Sequence, residues 1–169
     1  NKYLRKDVTI LVYVLNKDGK PLMPTNRHGK VRHLLNQGLA KVIRKEPFII
    51  KLLYNSTNFK QELTLGVDTG SKFIGTAVST NSGDILYLSQ TEIRNDISKK
   101  MKRRAEYRRI RRNRKTRYRK PRFNNRKNSI KEDRFSPTMI SKFNSHYKEI
   151  KFIEKLLPIS TKVFETGTF

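Results

Sequence analysis

The chain contains no cysteine. Structural disulfides and thiolate metal sites are therefore excluded. No apolar run is long enough to span a membrane. No signal peptide is visible, because a strand-like run begins within seven residues of the start. Acid is scarce: 14 Asp and Glu stand against 39 Lys and Arg, for a formal net charge of +25. That excess is concentrated. Residues 1–94 carry 15 basic and 7 acidic groups, residues 128–169 carry 7 and 5, but residues 95–127 carry 17 and 2. Within residues 103–127 the only acid is Glu106, and 14 of 25 positions are Lys or Arg. Ordinary folded segments thus flank an element that needs an anionic partner, which points to nucleic acid. A membrane surface fits less well, since the run lacks the wide apolar face of an interfacial helix.

A length of 169 residues allows one or two small domains. "VTILVYVL" at 8–15 is a β-branched apolar run and reads as a buried strand. "NKDGKPLMPT" follows, with Asp-Gly and two prolines, and predicts a turn or irregular loop. Val31, Leu34, Leu35 and Leu39 have helical spacing, with Gly38 as C-cap. "KVIRKEPFIIKLLY" reads as two short strands or one bent strand, broken at Pro47. The result is a compact β-α-β unit over residues 1–57. After a polar linker, strands are expected over about 63–68, 73–79 and 85–92, joined as a meander.

Asn95 or Asp96 can cap a helix that meets no Gly or Pro until Pro121, which allows about six turns. Its apolar seam is thin: Ile97, Met101, Ala105 and the stem of Arg108. Such a helix cannot be a core element and needs a partner along its surface. Residues 121–133 are polar and read as irregular. Ser136 and Pro137 then open a second helix as N-cap and first helical residue. Its stripe of Ile140, Phe143, Tyr147, Ile150, Ile153, Glu154 and Leu157 is expected to dock on the sheet, and Pro158 ends it. "STKVFETGTF" reads as a final strand.

Two carboxylates stand out. Asp68 ends an apolar strand in "LTLGVDTGSKFIGTAV", with Gly70 and Gly75 allowing close approach of backbone or ligand. The competing reading is an ordinary turn Asp. Glu165 lies inside a strand predicted to be buried, where an unpaired charge is costly. The competing reading is an outward Glu on an edge strand. If the two strands are neighbours, both carboxylates can serve divalent cations in phosphodiester hydrolysis. His28, His33 and His146 have no mutual metal-ligand spacing; His33 reads as structural or RNA-facing and His146 as solvated.

The ordered set of motifs resembles one family. "KPLMP" in the N-terminal unit resembles the short domain, named for Pro-Leu-Met-Pro, that opens IscB-type proteins. "LGVDTGSKFIGTAV" resembles the first segment of a split RuvC-like nuclease with the ribonuclease H fold. The Arg-rich run resembles the bridge helix that follows it and contains "RRIRR" at 108–112, the Arg-Arg-x-Arg-Arg pattern. "LPISTKVFETGTF" resembles the strand opening the second RuvC segment. The resemblance covers essentially the whole chain, in order.

It implies an α/β protein: a PLMP-type domain over 1–57, a RuvC-like first segment over 58–94, a bridge helix over 95–127, and the helix and first strand of a second RuvC segment over 128–169. It implies a transposon-encoded, RNA-guided DNA endonuclease, or its N-terminal portion. Asp68 and Glu165 match the first two catalytic ligands for Mg²⁺. Arg103, Arg104, Arg108, Arg109, Arg111, Arg112, Arg114, Lys115, Arg117 and Arg119 would contact nucleic acid. The partners would be a guide RNA and target DNA in a monomeric ribonucleoprotein, without a membrane, in a prokaryotic cytoplasm or nucleoid or an organelle matrix. Family members continue into an HNH domain or a third RuvC segment, which supplies a further His and Asp. The chain, which does not begin with Met, therefore reads as part of a longer protein, expected to bind nucleic acid but to cleave poorly alone. Two readings compete. One is a non-catalytic basic RNA-binding protein, suggested by the Arg run. The other is an ATP-binding protein of the sugar-kinase and actin superfold, suggested by "DTGS" but opposed by the chain length and the Arg run.

Overall fold

The computed structural model describes residues 11–114 and 135–165. Among these the order is β1 (Tyr13–Leu15), α1 (His28–Asn36), β2 (Ala40–Arg44), β3 (Ile49–Leu52), β4 (Leu63–Asp68), β5 (Phe73–Thr80), β6 (Ile85–Glu92), α2 (Ile97–Asn113), α3 (Pro137–Leu156) and β7 (Thr161–Glu165). The fold is mixed α/β. A three-stranded sheet has the order β1-β3-β2, and a four-stranded sheet the order β6-β5-β4-β7.

In the first sheet β1 runs parallel to β3, and β2 pairs antiparallel with β3. The bent-strand alternative at Pro47 resolves into two strands, so the unit is β-α-β-β. Residues 8–10 of the expected first strand lie outside the described residues. α1 ends as its sequence predicts. Gly38 adopts φ +68°, its N–H donates to the Leu35 carbonyl, and the Leu39 N–H donates to the Leu34 carbonyl. This pair of bonds closes a helix through a left-handed residue.

The stretch expected to be irregular folds back antiparallel beside β1. Val12 and Thr25 exchange both backbone hydrogen bonds at 2.9 Å, and the Leu22 N–H donates to the Val14 carbonyl at 2.9 Å. Pro21 and Pro24 supply no N–H, so the contact stays at isolated bridges rather than a full strand. Asn16 Oδ1 accepts from the Asp18 and Lys20 N–H groups and shapes the turn. Leu22 and Met23, adjacent in sequence, pack against different cores.

Those two cores lie on opposite faces of the first sheet. Val12, Val14, Ile50 and Leu52 meet Leu22, Val31 and Ala40. Tyr13 and Ile49, on the alternate positions, join Leu63, Leu65, Val67, Ile74, Val78 and the end of α3. A strand buried on both faces has no polar alternation, which explains the unbroken apolar run around β1. Tyr13 donates from its hydroxyl to the Leu86 carbonyl at 3.2 Å and meets Tyr87 edge-on. Burial, and then the Tyr87 charge, push the Tyr13 phenol up to about 12.

In the second sheet β4, β5 and β6 form the expected antiparallel meander, and β7 joins β4 in parallel. Ser136 Oγ accepts from the Met139 N–H and Pro137 follows, so α3 starts as expected. Its stripe docks only in part. Ile153, Leu156 and Leu157 are buried and Ile150 is half-buried, but Ile140, Phe143 and Tyr147 are exposed. A 20-residue helix is about 30 Å long, and only its C-terminal half reaches the sheets. His146, expected to be solvated, is half-buried: Nδ1 lies 2.9 Å from the Lys142 carbonyl and Nε2 is buried without a partner.

Glu154 ties α3 to β7 through an ion pair with Lys162, and also meets Lys151 at 3.1 Å. The Lys162 hydrogen bond first, and Lys151 second, hold its carboxyl below the usual range.

Two measurements check these local accounts. A Cβ at Gly38 meets nothing within 4 Å, so Gly38→Ala should cost only the left-handed backbone strain, about 1 kcal/mol in urea unfolding. A depressed carboxyl stabilises the fold fully above its unfolded value of about 4.3 and loses that contribution as pH falls through the lower folded value. Acidification into that range should therefore destabilise the native chain more than Glu154→Gln. Parallel unfolding midpoints for the two across pH would refute the role of the pair.

Candidate metal centre and nucleic-acid interface

Alternation along β4 sends Leu63, Leu65 and Val67 into the core and leaves Thr64, Gly66 and Asp68 on the other face. The parallel register then decides the site. Thr64 stands opposite Thr161, Gly66 opposite Val163, and Asp68 opposite Glu165. Residues opposite each other in a ladder share a face, so the two carboxylates are lateral neighbours at the C-terminal ends of adjacent strands. Open α/β sheets present ligands at such strand ends. Thr69 Oγ1 donates to the Glu165 carbonyl at 3.0 Å and clasps the two ends together.

Two glycines give this corner its shape. Gly75 pairs with Asp68 across β4 and β5. A Cβ there would lie 3.3 Å from Asp68 Cβ and 3.5 Å from Oδ2, so the carboxylate leans over the bare glycine. A Cβ on Gly70 would lie 2.4 Å from the Phe73 carbonyl oxygen, which fixes glycine in the connecting turn. Asp68 and Glu165 border a shallow groove of about 650 Å³ on the sheet face away from α3. Phe73, Leu88 and Gln90 also line it. No motif marks these three; they become visible once Gly75 is known to face Gln90.

Glu165 is exposed, as the outward, edge-strand alternative expects. β7 is an edge strand of the four-stranded sheet and is exposed along its whole length. Asp68 is exposed as well. What distinguishes them is juxtaposition rather than desolvation. Two neighbouring carboxylates are hard oxygen donors with free coordination sites. Mg²⁺ is commonly held by one or two carboxylates together with water and substrate phosphates, so the pair fits that ion. Among the described residues no group of three or more His, Asp or Glu side chains is placed to hold a metal.

Behind the sheet, Glu149 of α3 accepts from Ser89 Oγ at 3.1 Å and Tyr87 Oη at 3.5 Å. Ser89 also bonds Thr76, next to Gly75, at 2.7 Å. This polar chain anchors β5 and β6 to α3 directly behind the groove. Burial raises the Tyr87 phenol, and the Glu149 charge adds to the shift.

α2 leaves β6 after a short connection. Asp96 occupies its N-cap position, but the side chain makes no capping bond. The carboxylate pairs with Arg94 and Lys100 instead, and those hydrogen bonds push it well below the usual carboxylate range. Of the thin seam only Ile97 and Met101 are half-buried; Ala105 and Arg108 are exposed, and no residue of α2 is buried. Arg103, Arg104, Arg108, Arg109, Arg111, Arg112 and Arg114 are all exposed. Lys115, Arg117 and Arg119 lie outside the described residues, as does the expected irregular stretch 121–133. The described helix thus presents cations around its circumference, as a rod gripping phosphates on more than one side would require.

Because neither residue is buried, an Arg111→Ala, Arg112→Ala double variant should keep the thermal midpoint of the native chain. If the helix grips RNA phosphates, the slope of log affinity against log salt should fall by about 0.7 for each phosphate released on single-stranded RNA. An unchanged slope would remove these two from the interface.

No curated protein matches the sequence. A family model described as the RRXRR protein matches residues 12–169. The match takes in both sheets, the Arg-rich helix with its motif at residues 108–112, and the strand carrying Glu165. The chain belongs to the RRXRR protein family.

Proposed function

We propose that the chain is an RNA-guided DNA endonuclease of the IscB type, or the N-terminal portion of one. The observation that carries this reading is the pairing of Asp68 with Glu165 across β4 and β7, at the mouth of a groove. These residues are 97 positions apart, and the Arg-rich helix lies between them in the chain. Membership of the RRXRR family is consistent with that reading. The resemblance of the surrounding segments to a RuvC-like nuclease supports it further.

In this reading Asp68 and Glu165 would hold Mg²⁺ beside the bare Gly75 of the neighbouring strand β5. When bound there, Mg²⁺ would supply an activated water and stabilise the leaving oxygen. The chain's own contribution is geometric: β4 and β7 fix the carboxylates side by side, and Thr69 keeps the strand ends closed. Arg103, Arg104, Arg108, Arg109, Arg111, Arg112 and Arg114 take RNA phosphates, and Lys115, Arg117 and Arg119 continue the same run. Guide pairing reads the DNA sequence, while the protein holds the heteroduplex through its backbone.

A second reading, a basic RNA-binding protein without catalysis, is favoured by one observation. The described residues offer two carboxylates and no third metal ligand beside them.

Mn²⁺ titration separates the two. Followed by electron paramagnetic resonance of the free ion, the 169-residue chain should show weak, saturable binding. Asp68→Ala and Glu165→Ala should each remove it, while RNA affinity stays within about twofold because neither carboxylate lies on α2. Binding that survives the double variant would discard the metal centre and leave the RNA-binding reading.

A further inference from the structure

A second cavity, of about 320 Å³, lies between α1 and the first sheet, on the side away from the carboxylate groove. Val12, Val31, Leu35 and Phe48 form its apolar lining. His28, Arg32 and Asn36 line it as well, and all three are exposed. They recur every fourth residue along one face of α1. No carboxylate lines the cavity. The surroundings share that bias: from Lys20 to Lys45 the sequence holds seven basic residues and no acid. Outside the Arg-rich run, this stretch carries most of the excess positive charge of the first 94 residues.

Each feature narrows the occupant. The apolar lining with an aromatic ring suits a flat, weakly polar body. Arg32 and His28 at the rim suit a negative group attached to it. Asn36 offers both a donor and an acceptor to a base edge. The volume lies at the small end of ligand sites, enough for one nucleobase and far too little for a duplex. Proteins read RNA sequence chiefly through unpaired bases that swing out and stack on aromatic side chains, because side chains cannot read the deep, narrow major groove of an A-form helix.

We propose that this cleft takes a single unpaired nucleotide of the bound RNA, its base packed against Phe48 and Leu35 and its phosphate held by Arg32 and His28. The inference rests on the RNA-binding part of the function proposed above. The N-terminal unit would then recognise a bulged or looped-out base, while α2 grips phosphates irrespective of sequence. His28 thereby acquires a role in binding that its spacing from the other histidines did not suggest.

The test uses the full 169-residue chain and five RNA hairpins that share one stem. Four carry a single bulged A, C, G or U, and the fifth is fully paired. By fluorescence anisotropy at least one bulged hairpin should bind about tenfold more tightly than the paired one, the range expected for stacking of one base. Phe48→Ala should abolish that preference and leave binding to the paired hairpin unchanged. Phe48 also packs on the core, so exposed Arg32→Gln provides a variant that does not disturb folding and should reduce the same preference. Arg111→Ala with Arg112→Ala should weaken all five hairpins by a common factor. Equal binding of all five by the native chain would overturn the cleft proposal and leave RNA binding by α2 intact. So would a uniform loss in Phe48→Ala and Arg32→Gln. Failure to bind any hairpin would overturn the RNA-binding reading itself. Saturable binding of free nucleoside monophosphates without any bulge preference would reassign the cleft to free nucleotides and overturn its role in RNA recognition.

Discussion

The parallel pairing of β4 with β7 is the constraint on which the candidate centre depends. Parallel strands cannot be joined by a tight turn; they need a long crossover. Here the crossover contains β5, β6, the cationic helix α2 and the docking helix α3. A slip of one residue in this pair would carry Glu165 to the opposite face of the sheet. The register is pinned at both ends. At the start, the Ser160 N–H donates to the Leu63 carbonyl at 3.0 Å, and Ser160 Oγ accepts from the Leu63 N–H. At the finish, Thr69 holds the Glu165 carbonyl. Between them, Lys162 is held by Glu154 of α3. The position of one carboxylate is thus secured by a helix that never approaches it.

The two sheets are joined through β1 and β3. Tyr13 and Ile49 point into the core of the second sheet, while their neighbours point into the core beneath α1. Arg44 of β2 lies over the Phe152 ring of α3 at 5.1 Å, a further contact between the two parts. These contacts tie the N-terminal unit to the carboxylate strands.

Much of this was legible in the sequence, and the reasons differ from one element to another. The meander of β4, β5 and β6 was visible because its strands are long and their turns carry Gly, Asn and Asp. The caps of α1 and α3 were visible because Gly38, Ser136 and Pro137 act through backbone chemistry that does not depend on the rest of the fold. Asp68 and Glu165 stand out by local pattern and by resemblance, and of the two readings of Glu165 the outward, edge-strand one describes its exposure. An apolar composition in "TKVFE" says nothing about whether a strand lies at the edge of its sheet. The stripe of α3 misled for a similar reason: periodicity reports which face is apolar, not how much of it finds a partner. The fold-back of the Pro-Leu-Met-Pro segment onto β1 was hidden because prolines mark the absence of a ladder, not the presence of isolated bridges. The cleft under α1 has no sequence signature, since His28, Arg32 and Asn36 acquire their meaning only from the Phe48 ring across the cleft.

The crowding of charge on α2 has a further consequence. Arg104 and Arg108, and Arg108 and Arg112, stand one turn apart, and Glu106 is the only acid within the helix. Such like-charged neighbours oppose the helix that carries them. Dissolved salt screens this internal repulsion and so favours the helix in the free protein, while the same salt weakens its grip on a polyanion. Ionic strength therefore acts on this one element in two opposite directions. Phosphates bound along it would serve partly as the counterions that favour its helical form.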